Sequence, residues 1–419
     1  MRNIKGFQVL GLFSVKLVVL FWAGLASAQE PSPKVLGLME AVELLKHKNP
    51  EIAAAEASAN KESALIKTQY ALPDPMLSYQ RLERGNSTKY WGVSQRIEFP
   101  TSYIYRGAAQ KHRARGAKAM ASLTALELRG EVISVYYELY SLGRMIKFTE
   151  ANRDAIREVA RVAERKYASG SVSQADSMRA HVEQTSLEAE IRLLRQKQSI
   201  ASARLKELLN LSQEENFILP SSKLQSPLLP ELDNSNAASL EVQSAKENLL
   251  EAENSKGEAV SEFLPNIQVR YQRQFSGLPE DSQILMLEAS VPLWFWGATG
   301  KTQAALYEQD RKSAELVATK NRVSREQSSL IENLKTQKEL LDIYENALIP
   351  QAQTSYSATS SSYRASKASF LDLLERERFL LGVQIKSYSA LIDYVRLLTR
   401  YEQVVGKEVI DVGQLQESL

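Results

Sequence analysis

The chain has 419 residues, enough for two or three domains, and its 44% apolar and 24% charged content is that of a protein that buries a core. Net charge is +2, but Arg2, Lys5 and Lys16 all fall in the first 28 residues, and the rest, at −1, has no basic field to attract nucleic acid. Cysteine is absent, which excludes disulfides, thiolate nucleophiles, Cys-ligated metals and a lipid on an N-terminal Cys.

Residues 1–28 read as a signal peptide: Arg2 and Lys5, then the apolar LVVLFWAGL, then Ala26-Ser27-Ala28 before Gln29. The competing reading, an N-terminal anchor, is weakened by Lys16 and by a run short for a span. No later segment has 18 apolar residues in a row, so any membrane crossing must use another device than a helix.

A first repeat is expected over 29–218. Asn49-Pro50-Glu51 starts a helix, with Asn49 as N-cap and Pro50 at the first helical position, and Pro73 and Pro75 end it. Over 76–99 the period becomes two, as in a β-hairpin: Trp91, Val93, Ile97 and Phe99 share one face, Gly92, Ser94, Arg96 and Glu98 the other. Between Pro100 and Pro220 there is no proline. A helix from Ser102 to Tyr167 would run about 100 Å. Val132, Tyr136, Leu139, Ile146, Ile156, Ala160, Ala163 and Tyr167 mark a coiled-coil seam along it. A tight turn at 167–176 (YASGSVSQAD) precedes the return helix, and Pro220, Pro227 and Pro230 mark a linker over 219–236.

The segment 237–405 repeats this order. LPDPMLSYQR (72–81) aligns with LPNIQVRYQR (264–273) at an offset of 192, as does Pro100 with Pro292. YRASKASFLD (363–372) matches the first turn at an offset of 196, so the second half has gained four residues, close to one helical turn. Its hairpin, 266–293, sets Ile267, Val269, Tyr271 and Phe275 against Asn266, Gln268, Arg270, Gln272 and Gln274. In its second strand Leu285, Leu287, Ala289, Val291 and Leu293 oppose Glu288 and Ser290. Pro350 should kink the long helix unless a break already exists there. The return helix carries Leu374, Leu381, Ile385, Tyr388, Ile392, Val395 and Leu398 at seam spacing, and 406–419 is a C-terminal tail.

Strands of about ten residues suit a bilayer crossing, but strands cross lipid only as a closed barrel. Two hairpins give four strands and small barrels need about eight, so the chain must assemble; two, three or four copies satisfy this. The competing reading is a small soluble sheet whose apolar face packs on helices. Aromatic residues at the strand ends (Trp91, Phe99, Tyr271, Phe275, Trp294, Trp296) favour the barrel, as interfacial girdles.

The sequence resembles the TolC-like outer-membrane efflux proteins nearly end to end. LGLMEAVELLKHKNPEIAAAEA resembles their opening helix, and the stretch from ALIPQAQTSY to LIDYVRLL their second-half signature. LPDPMLSYQ and VSQRIEFP are most similar to the heavy-metal branch, although Thr101-Ser102 replaces its usual Gly-Lys. The resemblance implies a mostly α-helical fold with a membrane β-barrel part: a homotrimer sharing a twelve-stranded barrel, four strands per chain, on a periplasmic α-helical coiled-coil barrel. It also implies a periplasmic adaptor and an inner-membrane resistance–nodulation–division (RND) pump as partners. Both turns become periplasmic tips, with Gly170, Ser171, Val172, Ser366 and Lys367 facing the adaptor. Tyr363 matches a gating tyrosine, and Asp372 and Glu375 the acidic pair at the constriction. The gating arginine becomes Ala368, beside Lys367. Lipid would meet Trp91, Val93, Ile97, Phe99, Ile267, Val269, Tyr271, Phe275, Leu285 and Leu287. Acidic rings on a pore axis hold cations and repel anions. Asp372 and Asp176 can also serve as helix N-caps, a role that suffices for Asp176.

Nothing points to catalysis or a cofactor. His47, His112 and His181 are scattered and read as lone surface residues, and GATG (297–300) lacks the lysine of a phosphate loop and reads as the turn from strand to helix. The expected function is a passive exit duct in the outer membrane of a Gram-negative bacterium, driven by its partners, with metal cations first and organic toxins next as cargo. The alternatives are a type I protein-secretion duct and a periplasmic coiled-coil scaffold without a pore.

Overall fold

The computed structural model describes residues 34–83, 88–168, 173–220, 224–232, 239–275, 282–365 and 367–415. The expected signal peptide and the tip residues Gly170, Ser171, Val172 and Ser366 lie outside these.

The opening helix is two helices with a corner between them, α1 (Leu38–Lys48) and α2 (Pro50–Gln69). Proline cannot continue α1, and the Asn49 Oδ1 accepts hydrogen bonds from the amides of Glu51 (2.8 Å) and Ile52 (3.1 Å) to start α2. The Asn49 Nδ2 donates to the Leu208 carbonyl at 2.8 Å, fixing the corner to a helix 159 positions away. Strand β1 (Lys34–Val35) precedes these helices. Strands β2 (Met76–Leu82) and β3 (Thr88–Ile97) follow, then helix α3 (Pro100–Ala168), whose 69 residues span about 100 Å. Helix α4 (Gln174–Leu208) returns to β4 (Phe217–Ile218), which pairs in parallel with β1. Next come α5 (Leu240–Ser261), β5 (Asn266–Phe275), β6 (Ser282–Ser290) and α6 (Phe295–Ile343). A π-helical turn (Tyr344–Leu348) leads into α7 (Ile349–Arg364), and α8 (Phe370–Val405) completes the second hairpin. The break expected at Pro350 is this π turn: the widened turn comes just before the residue that lacks an amide hydrogen. GATG is not a turn; residues 297–300 lie inside the first turns of α6.

Three layers repeat one plan. The strands are ordered β2-β3-β5-β6, every neighbour antiparallel. Beneath them α2 packs on α3, α3 on α5 and α5 on α6. Further along, α4 packs on α3, α3 on α8, and α8 on α6 and α7. Among the described residues each layer is therefore an open row whose outer elements pack on one neighbour within it. In the second row two glycines set the spacing. A Cβ at Gly107 would come within 2.6 Å of the Tyr70 ring, and one at Gly257 within 2.8 Å of the Tyr105 ring, so tyrosines lie directly on helix backbone there.

The main core lies where α1, α3, α4 and α8 meet, around the fully buried Tyr136, Tyr137, Tyr394 and Tyr401. Tyr136 donates to the Leu36 carbonyl (2.9 Å), Tyr137 to Gln225 (2.7 Å) and Tyr394 to Pro227 (3.1 Å). Burial pushes these three phenols up, so they stay neutral donors. Tyr137 and Tyr394 lash the 224–232 segment onto the helices, so this stretch of the linker is a belt with Leu224 in the core. The tail is docked as well. Arg129 donates to both oxygens of the fully buried Glu402 (3.1 and 2.9 Å) and to the Ile410 carbonyl (2.7 Å), while the amides of Val409 and Ile410 each donate to Glu402 at 2.6 Å. Among the described residues no helix is long and apolar enough to cross a membrane, which says nothing of a β-barrel.

Candidate functional site

The sheet is amphipathic in the direction opposite to that of a soluble protein. The register places Leu77, Val93, Tyr271 and Leu285 in one cross-strand row. Tyr79, Trp91 and Arg273 form another on the same face, with the Tyr79 and Trp91 rings 4.8 Å apart. Gln95, Val269 and Leu287, then Ile97, Ile267 and Ala289, continue that face. Phe275 is opposite Lys89 at its far end. The opposite face carries Ser94 with Arg270, Gly92 with Gln272, and Arg96 with Gln268 and Glu288. The apolar face is the more exposed one: Leu77 is 83% exposed, Leu285 74% and Leu287 75%, whereas Gln268, Arg270 and Gln272 are half-buried. A sheet packed on helices would show the reverse.

Some expected members fall off the strands. Phe99 lies two residues past the end of β3, half-buried in the corner before α3. Val291 and Leu293 follow the end of β6, and Trp294 and Trp296 stand at the start of α6, exposed with their rings 5.1 Å apart. Among the described residues β2 pairs only with β3 and β6 only with β5, so both outer strands present unpaired backbone groups.

At the far end α8 begins with a reciprocal cap. The N-cap is Ser369, not Asp372: its Oγ accepts from the Asp372 amide (3.1 Å), and Asp372 Oδ2 accepts from the Ser369 hydroxyl (2.6 Å) and amide (3.0 Å). These bonds hold the exposed Asp372 carboxyl below its ordinary range. Glu375, one turn on, is exposed, as is Lys367, whose amide donates to the Ser362 carbonyl at 2.8 Å. Tyr363 is buried against Phe370, ring centroids 6.4 Å apart, inside an apolar cluster of α3, α4 and α8 residues. Tyr167, expected on the seam, is 47% exposed, and the Asp176 side chain lies outside the described set.

All three histidines are partnered, not lone: the His47 Nε2 lies 3.9 Å from Glu43. The His112 Nδ1 lies 2.7 Å from Glu247 in a half-buried bridge between α3 and α5, and the His181 Nε2 is 2.9 Å from Glu164. Among the described residues no group of three or more His, Asp or Glu is placed to hold a metal. The charges that sequence reasoning missed are on α8: Glu402 with Arg129, and Glu377, which is 5% exposed near the tip. Helical spacing gives a signal for the latter, since Glu377 falls between Leu374 and Leu381 on the buried side.

This fold recurs in solved structures. The outer membrane protein VceC of Vibrio cholerae superposes with a TM-score of 0.77 at 16% identity, covering 89% of this chain and 96% of VceC. The chain has the fold of the TolC-like outer-membrane channels. The Campylobacter jejuni CmeC outer membrane channel shares this TolC-like fold with a TM-score of 0.75 at 14% identity, over 99% of this chain and 96% of its own. The cobalt-zinc-cadmium resistance protein CzcC of Cupriavidus metallidurans is 22% identical over 393 residues, covering 89% of this chain and 90% of CzcC. No protein-family profile matches the chain. The sheet lies at the start of α3 and α6, and the α8 cap follows the end of α7, at the other end of that helical run.

Proposed function

We propose that this chain is the outer-membrane exit duct of a tripartite efflux system. The observation that carries it is the open sheet whose exposed face is the apolar one and whose outer strands each lack a second neighbour. Unpaired backbone groups cost several kcal/mol each in lipid, so β6 of one copy joins β2 of the next until the sheet closes. Three copies give twelve strands, with Trp91, Val93, Ile97, Ile267, Val269, Tyr271, Phe275, Leu285 and Leu287 toward lipid. The half-buried polar face, with Arg270 and Gln272, lines the lumen. The free flanks of the helical rows join in the same order, giving a periplasmic α-barrel. At its tips Lys367 and the neighbouring turn residues meet a periplasmic adaptor, which links the duct to an inner-membrane RND pump. Asp372 and Glu375 from three copies form acidic rings at the entrance, beside Tyr363, and favour cations. The chain conducts and does not catalyse; energy comes from the pump. The name of CzcC, which speaks of cobalt, zinc and cadmium resistance, makes metal cations the first class of cargo.

The test is ion conduction by the purified protein in planar bilayers. Discrete conductance from a detergent-extracted oligomer is expected; a water-soluble monomer with no conductance overturns the reading. Leu285→Arg places a charge on the lipid face, costs about 2–4 kcal/mol near the bilayer midplane, and should deplete the membrane-inserted oligomer. Replacing Asp372 and Glu375 with Ala should abolish cation preference, and an unchanged preference removes the entrance assignment. Growth of a deletion strain on cobalt, zinc and cadmium salts tests the cargo.

A further inference from the structure

Near the tips, side chains of α3, α4, α7 and α8 meet in a second, small core. It comprises Ile156 and Ala160 of α3, Ala180 and Leu187 of α4, Tyr363 of α7, and Phe370, Leu373, Leu374 and Leu381 of α8. Two carboxyl groups enter this seam from different hairpins, Glu183 from α4 and Glu377 from α8, 7% and 5% exposed. Glu183 is compensated by an ion pair with Arg378 across the seam. Among the described residues Glu377 forms no ion pair, and the groups around it do not supply a cation. On its own helix Arg378 is committed to Glu183, and Glu375 is a second negative charge near that arginine. From α7 it meets the Tyr356 phenol, itself influenced by Arg364. Helix α3 offers Ile156 and Ala160, its arginines in this stretch being engaged elsewhere: Arg153 and Arg157 with Asp154, and Arg161 with Glu158.

We propose that Glu377 is a proton-operated latch between the two helical hairpins, holding the seam shut when its carboxyl is neutral and releasing it when charged. A buried carboxylate with no cation opposes its own packing far more strongly than the neutral acid does. The direction agrees: burial, with Glu183 adding to it, pushes the Glu377 carboxyl up to about 7, against an ordinary value of 4.5. The closed seam therefore holds the proton more tightly than an opened, hydrated one. Closure is favoured fully below pH 4.5 and weakens as pH rises through 7. Each unit between the two values is worth tenfold, so the closed-to-open ratio falls by about two orders of magnitude across this window. The consequence for conduction rests on the duct reading; the latch itself is a property of the seam.

The absence of native cysteine makes a clean distance experiment possible. Spin labels on Thr185→Cys in α4 and Phe379→Cys in α8, both exposed positions, report the seam by pulsed dipolar spectroscopy. The distance distribution should lengthen or broaden between pH 5 and pH 8. With Glu377→Gln, neutral at every pH, it should stay at the short-distance form throughout. Should that variant fold poorly, Glu183→Gln removes the like charge, frees Arg378, and should move the transition to lower pH. A distance that ignores pH in the unsubstituted protein, or responds equally in Glu377→Gln, overturns the latch. Conductance at the same pH values separates the two readings. A distance that switches without any conduction keeps the latch and removes the duct, while conduction over a pH-invariant distance removes the latch alone.

Discussion

Helix α8 buries two glutamates 25 residues apart, and they are treated oppositely. Glu402 lies in the main core with Arg129 and two backbone amides on its oxygens; burial pushes its carboxyl up, and these donors pull it back. Glu377 lies in the small tip core, with another carboxylate as its charged neighbour. Burial alone does not decide what a charged side chain does. A compensated charge is a permanent clamp, here fastening the tail to α3 and α8, while an uncompensated one makes closure conditional on pH.

The comparison breaks most sharply if Arg129 is removed. Arg129→Met should cost about 3–5 kcal/mol in denaturant unfolding, because it strands Glu402 as a buried lone charge. Stability should then rise as pH falls, giving the core the behaviour of the tip. A loss below 1 kcal/mol would mean that the two amides suffice. In the opposite sense, Glu377→Leu should give the tip the permanence of the core. It should stabilise the seam at pH 8 by about 3 kcal/mol and change little at pH 5, read as hydrogen-exchange protection over residues 370–381. Ser369→Ala removes the cap that starts α8 two turns before Glu377. It should cost about 1 kcal/mol in local opening at the tip and leave protection around Glu402 unchanged. The smallest effect belongs to Tyr394→Phe, about 0.5–1 kcal/mol, confined to the 224–232 belt.

Much of this layout is legible in the residues, for local reasons. Asn49-Pro50 carries its own cap chemistry, the alternation over 266–275 carries its own face assignment, and the offset alignment of Pro73 with Pro265 reveals a plan used twice. Errors fell where local pattern and context part. GATG looks like a turn, yet it opens a helix, because α6 begins directly after Trp294. Asp372 looks like a cap residue, but Ser369 is placed one turn earlier to take that role. The proline-rich 219–236 segment reads as a tether, since no sequence pattern announces three distant tyrosine hydroxyls, two of which grip its backbone.

By itself, the sequence determined the strands, their apolar faces, the length of the helices and the duplication, because periodicity, prolines and caps act over a few residues. Only the tertiary structure decided which of those faces looks outward and which carboxyl receives a cation. Arg129 and Glu402 are 273 positions apart and Glu183 and Glu377 are 194, so their neutralisation or conflict exists only once the helices are side by side.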